Sequence, residues 1–115
     1  MKTFFISDTH FCHTNILKYD NRPFSSIEEH DENLIENWNS RVTNKDIVYH
    51  LGDFGFGQKD KLQDIFNRLK GRKRLIRGNH DYKYDPPKGW EWEKDLYMAK
   101  VAGKKILLCL LIPSR

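Results

Sequence analysis

The chain is short of everything that would hold a protein together from outside its own core. It has two cysteines, Cys12 and Cys109, far apart among 115 residues. That spacing matches neither a disulfide framework nor a zinc knuckle, so a reducing, cytoplasmic setting is expected. The longest apolar run, Ile106 to Ile112, is seven residues, against roughly 20 needed to cross a bilayer. At the N-terminus, Asp8 and His10 interrupt the run Met1-Lys2-Thr3-Phe4-Phe5-Ile6 too soon for a signal peptide. A membrane is therefore not an expected partner. Repeats, low-complexity tracts and linkers are missing too, so residues 1–115 read as a single domain. Charge of either sign is in small excess only. The 20 basic and 16 acidic residues leave a net +4, a mild pull toward anions that names none.

What is present is ordinary for one globular core, with 38% hydrophobic and 31% charged residues. Thr3-Phe4-Phe5-Ile6-Ser7 is aromatic and β-branched and predicts a strand. Ser26-Ile27-Glu28-Glu29 has the serine-to-glutamate spacing of a capping box. Ile27, Leu34, Ile35 and Trp38 recur at helical spacing behind it, predicting a helix over 26–39. Asp46 to Leu51 predicts a second strand, and Phe54-Gly55-Phe56-Gly57 a flexible loop after it. Leu62, Ile65, Phe66 and Leu69 predict a second helix that Gly71 stops. A third strand is expected over 73–77. Residues 82–90 read as a turn-rich surface segment, and 96–101 with 105–112 as a β-hairpin around Ala102-Gly103-Lys104. Strand, helix, strand, helix, strand is the order of a mainly parallel α/β sheet with flanking helices.

In such sheets ligands bind outside the carboxyl ends of the strands. Asp8 and His10 leave the first strand there, Asp53 the second, and Asn79, His80 and Asp81 the third. Carboxylate, imidazole and carboxamide together suit manganese, iron, zinc or nickel. One carboxylate can bridge two ions about 3.5–4 Å apart, a spacing that clamps the attacking and leaving oxygens of an in-line displacement. A metal-bound water supplies the nucleophile and an imidazole can protonate the leaving group. These are the parts needed for phosphoester hydrolysis.

Asp8-Thr9-His10, Gly52-Asp53 and Gly78-Asn79-His80-Asp81, in that order and spacing, resemble the calcineurin-like metallophosphoesterase superfamily. Phe5 to Phe11, Asn21-Arg22-Pro23-Phe24 and His50 to Phe54 closely resemble its small bacterial and phage members, and similarity runs over residues 3 to 108. The resemblance implies a partial α/β/β/α sandwich and a phosphate-ester substrate attacked by metal-bound hydroxide. It assigns Asp8 and His10 to a first divalent metal, Asp53 to a bridge between two, and Asn79 to the second. His80 becomes the acid on the leaving oxygen, with Asp81 tuning it. His13 and His50 flank these motifs, where they could touch substrate, support the ligands from behind, or be ordinary histidines. Phe54-Gly55-Phe56 after Asp53 is not the Asp-Arg-Gly continuation of the protein serine/threonine phosphatases, which points away from phosphoproteins.

The match also has gaps. Leu110 stands where relatives typically place a histidine, and a Gly-His-x-His segment is absent. The expectation is therefore a truncated domain with a thin second metal site. Its alternative function is a non-catalytic module binding metal, phosphate or a protein. The apolar stretch 106–112 predicts a homo-oligomer through an unpaired edge. Arg68, Lys70, Arg72, Lys73, Arg74 and Arg77 could bind nucleic acid, but read better as a solvated helix end and the face of an edge strand. Phe54, Phe56, Trp90 and Trp92 could stack on a base, but read better as loop anchors. Cys12 lies near the proposed site without being needed as a ligand.

Overall fold

Strand β2 (Ile47–His50) is buried along its whole length, and the other elements are arranged around it. The computed structural model describes residues 1–7, 9–12, 26–55, 59–77, 86–101 and 103–109, with backbone alone at 96, 101, 108 and 109. Its elements are β1 (Thr3–Ile6), α1 (Ile27–Arg41), β2, α2 (Lys59–Arg68), β3 (Arg72–Ile76), β4 (Trp92–Lys94), β5 (Leu96–Val101) and β6 (Lys104–Cys109). Four strands form a parallel sheet in the order β1-β2-β3-β4, and β5 and β6 form a separate antiparallel pair. The α/β class and the C-terminal hairpin read from the sequence are both present. None of the described helices is long and apolar enough to cross a membrane.

Alternation along the strands divides the core in two. Phe4, Ile6 and Val48 point into a cluster with Ile35, Trp38, Leu62, Ile65, Phe66 and Leu69, so both helices cover one face. Ile47, Tyr49 and Ile76 point the other way, against Tyr97 and Ala99 of the hairpin. Rings fill this second face. Tyr49 stacks on Phe5 and Tyr97 with centroids 5.4 and 5.9 Å apart. Ser26 caps α1 by accepting a hydrogen bond from the Glu29 amide at 3.1 Å, as the capping-box spacing predicts. The Trp38 indole donates to the Lys70 carbonyl at 2.9 Å, and Asn39 bonds both Arg68 O and Lys70 N, fastening α1 to the end of α2.

Two expectations change here. Trp92-Glu93-Lys94 is a fourth strand alongside β3, which short local patterning does not reveal. As a result β3 is internal, not an edge. Its basic run is largely paired within the chain. Arg72 and Arg74 share Glu91, Arg77 reaches Asp95 at 3.3 Å, and Arg68 forks onto Glu32. Lys73 is half-buried, donates to the Leu69 carbonyl and lies 4.3 Å over the Phe66 ring. Burial lowers its pKa. The apolar edge expected over 106–112 is described only to 109. There, Ile106 and Leu107 are exposed, as is Met98, the register partner of Leu107.

At the amino ends of the strands a single aspartate joins three elements. Asp46 accepts from the Lys2 and Thr43 amides at 2.7 and 2.8 Å, and its carbonyl accepts from Arg72 N at 2.7 Å. The Thr43 and then the Lys2 amide hold its pKa below the usual aspartate range. Gly71 makes the turn into β3 with φ of 104°, and a Cβ there would lie 2.8 Å from Val42 Cγ1. Gly71→Ala is expected to destabilise the fold by roughly 1–3 kcal/mol, lowering the calorimetric melting midpoint by at least about 4 °C. An unchanged midpoint would contradict this packing.

Candidate metal centre at the strand exits

The parallel pairing of β1 and β2 continues past both strands into the loops that carry the candidate ligands. Leu51 N donates to Ile6 O at 2.7 Å, His10 N to Asp53 O at 3.1 Å, and Phe11 N to Phe54 O at 2.8 Å. Phe11 then bridges Gly55. At Gly55 the approach is too close for any side chain, since a Cβ would lie 2.5 Å from the Phe11 carbonyl oxygen and 2.6 Å from Leu62 Cδ2. The expected flexible loop is therefore fixed at its start, with Phe54 and Phe11 both buried. Residues 56 and 57 lie outside the described residues.

Both exits have a sharply turned backbone. His10, Cys12 and Asp53 have φ of 49°, 62° and 54°, and Gly52 of 91°. Left-handed geometry costs a non-glycine residue roughly 1–2 kcal/mol, so something must offset it. Three contacts do. The Cys12 amide donates to both carboxylate oxygens of Asp31 at 3.3 and 3.1 Å, and Asp31 also meets His30 Nδ1 at 2.9 Å. The Phe11 ring is sealed in the core against Phe54, 5.0 Å between centroids. Finally, the Thr9 hydroxyl donates to Phe54 O at 2.7 Å and lies 3.0 Å from His50 Nε2.

A hydroxyl has one proton, and here Phe54 O receives it. His50 Nε2 must then be the protonated ring nitrogen and donate to Thr9. Nδ1 is left as a buried lone pair with no hydrogen-bond partner among the described residues. Burial, reinforced by the nearby His10, holds the His50 pKa down to about 3. At 0% exposure this ring is out of reach of a substrate. Phe54 and Trp90 pack edge-on against it, which makes both of them anchors, as the sequence reading favoured. Cys12 stays a thiol near neutral pH, because burial and then the Asp31 charge push its pKa up to about 11.

Residues 1–111 match the calcineurin-like phosphoesterase family. The chain belongs to that family. Over 82 residues it is 51% identical to an uncharacterised protein of Methanocaldococcus jannaschii, an alignment covering 70% of this chain and 47% of that protein. It is 42% identical over 82 residues to the gene 66 protein of Mycobacterium phage L5, covering 69% of this chain and 39% of the phage protein. The chain thus spans half or less of the length of these relatives. A protein of unknown function from Aquifex aeolicus, known from its crystal structure, is similar with a TM-score of 0.75 at 31% identity. That likeness covers 95% of this chain and 60% of the Aquifex chain. Membership in the family points to metal-dependent phosphoester hydrolysis as the general chemistry.

Of the site residues read from the sequence, the structure places His10 and Asp53 on neighbouring loops joined backbone to backbone. Asp8, His13, Asn79, His80 and Asp81 lie outside the described residues. Among the described residues no three His, Cys, Asp or Glu side chains gather to hold a metal ion. His10 and Asp53, whose backbones meet there, carry an imidazole and a carboxylate, donor types that suit a borderline divalent ion. Thr9, His30 and Asp31 were missed in the sequence. Asp31 had a usable signal, since it falls four residues from both Ile27 and Ile35, on the apolar stripe of α1.

His50 makes acid stability testable. Unfolded, it takes up a proton below its ordinary value of 6.5, while the folded ring stays neutral down to about 3. Its contribution is complete above pH 6.5 and is lost as pH falls through that window, by at most about 1.4 kcal/mol per pH unit. Denaturant unfolding of the metal-free protein from pH 7 to 5 should show a shallower loss in His50→Gln than in wild type. Equal slopes would refute the neutral buried ring.

Proposed function

We propose that this chain is a metal-dependent phosphoesterase acting in the cytoplasm on phosphodiesters, nucleotides or small phosphomonoesters. One observation carries the reading. His10 and Asp53, from motifs 43 positions apart, sit on adjacent strand exits joined backbone to backbone at 3.1 Å, each in a left-handed conformation that the surroundings hold. In this reading Asp8, His10 and Asp53 hold the first ion, and Asp53 with Asn79 faces a second, manganese, iron, zinc or nickel filling either place. When bound, such an ion lowers the pKa of a coordinated water and polarises the phosphoryl oxygen. His80 hands a proton to the departing oxygen, oriented by Asp81. Residues 1–115 act as one domain.

With bis(p-nitrophenyl) phosphate, hydrolysis should require added manganese and fall at least about 100-fold in Asp53→Ala. Equal rates in the two proteins would sink the enzymatic reading. Manganese binding without turnover would move the chain to a non-catalytic metal-binding module.

Self-association belongs to the same proposal. Met98 and Leu107, paired across the hairpin, are 52% and 56% exposed, and the outer edge of β6 is unpaired among the described residues. Two such edges can pair with each other. Light scattering at high concentration should report a dimer or larger species, and a monodisperse monomer would overturn it.

A further inference from the structure

We propose that the buried Thr9–His50 pair is the positioning device of the metal centre, a polar bolt that keeps the two ligand loops in their left-handed conformations. The inference rests on the metal-centre reading for its purpose, but its geometry stands independently. Thr9 lies between the two candidate ligands of the β1 exit and is 3% exposed. Its hydroxyl proton goes to the carbonyl of Phe54, the residue after Asp53. Its lone pair receives the Nε2 proton of His50, the last residue of β2. One hydroxyl therefore joins the β1 exit to the end of β2 and to the loop beyond Asp53.

The backbone alone would hold these loops poorly. His10 N–H to Asp53 O and Phe11 N–H to Phe54 O extend the parallel ladder, yet both His10 and Asp53 are in a region that L-residues avoid. Without the bolt, relaxation to an extended backbone turns both side chains away from their present directions. Nδ1 of His50, without a hydrogen-bond partner among the described residues, fits this function. Because the Phe54 carbonyl can only accept, it takes the Thr9 proton, and Nε2 is then the donor to the hydroxyl, which sets the hydrogen-bond direction through Thr9.

The test compares Thr9→Val, which keeps shape and loses the hydroxyl, with Thr9→Ser, which keeps both bonds. His50→Gln retains a donor toward Thr9. Val42→Ala is the stability control, a core residue at the end of α1 that lies beside Gly71 at the opposite, amino end of the sheet. Calorimetric titration with manganese alone should show affinity falling at least about tenfold in Thr9→Val. The serine, glutamine and Val42→Ala proteins should stay within about threefold of wild type. In the metal-free proteins, amide exchange at His10 and Phe11 should accelerate at least about tenfold in Thr9→Val and not in Val42→Ala at matched stability. If Thr9→Val does not fold, Thr9→Ala removes the hydroxyl without added bulk and takes its place. Unchanged exchange and affinity in the variant lacking the hydroxyl would overturn the proposal. Wild type that binds no manganese would sink the metal-centre reading, while the exchange comparison would still decide the bolt.

Discussion

A strand covered on both faces cannot slip by one residue without turning every side chain into the wrong layer. That constraint on β2 organises this molecule. Val48 must face the helices, Tyr49 the hairpin, and His50 must end under Phe54. With β2 set, its register fixes Ile6 against His50 and His50 against Leu75. The exits of β1, β2 and β3 are thereby brought to the same end of the sheet, which is where an α/β sheet builds its sites.

The two ends of the sheet are held differently. At the amino end, Asp46 is a carboxylate fixed by backbone amides and stays ionised. At the carboxyl end, Thr9 and His50 form a neutral, buried connection. In the proposed metal centre such a neutral connection adds no competing charge and no exposed donor. The strain in the exit loops is offset by several modest contacts, and each of them comes from a different element. Asp31 reaches in from α1, Phe54 from the β2 exit, and His50 from β2 itself.

The basic run of β3 illustrates how tertiary contacts reassign charge. Read along the chain, Arg72-Lys73-Arg74 resembles an anion-binding stripe. In the fold Glu91 takes both arginines, and Lys73 lies along Phe66 with its charge on a carbonyl. Glu91 can do so because the following residues form β4 beside β3.

Much was legible from the residues alone. Periodicity gave the helices, the serine spacing marked the start of α1, β-branched and aromatic runs marked β1 and β2, a basic-apolar run marked β3, and three short motifs named the family and its ligand candidates. These signals are local, each determined by a few neighbouring side chains and the period of the backbone. Only the tertiary structure decided the rest. That Trp92 to Lys94 is a strand, that the Phe11 carbonyl leaves no room for a Cβ at Gly55, and that Thr9 rather than a charged neighbour joins the loops all depend on partners 18 to 45 positions away. A hydroxyl in a sequence carries no mark of where its proton will go. The acceptor and donor that settle it meet only when the central strand is buried and the two exits lie side by side.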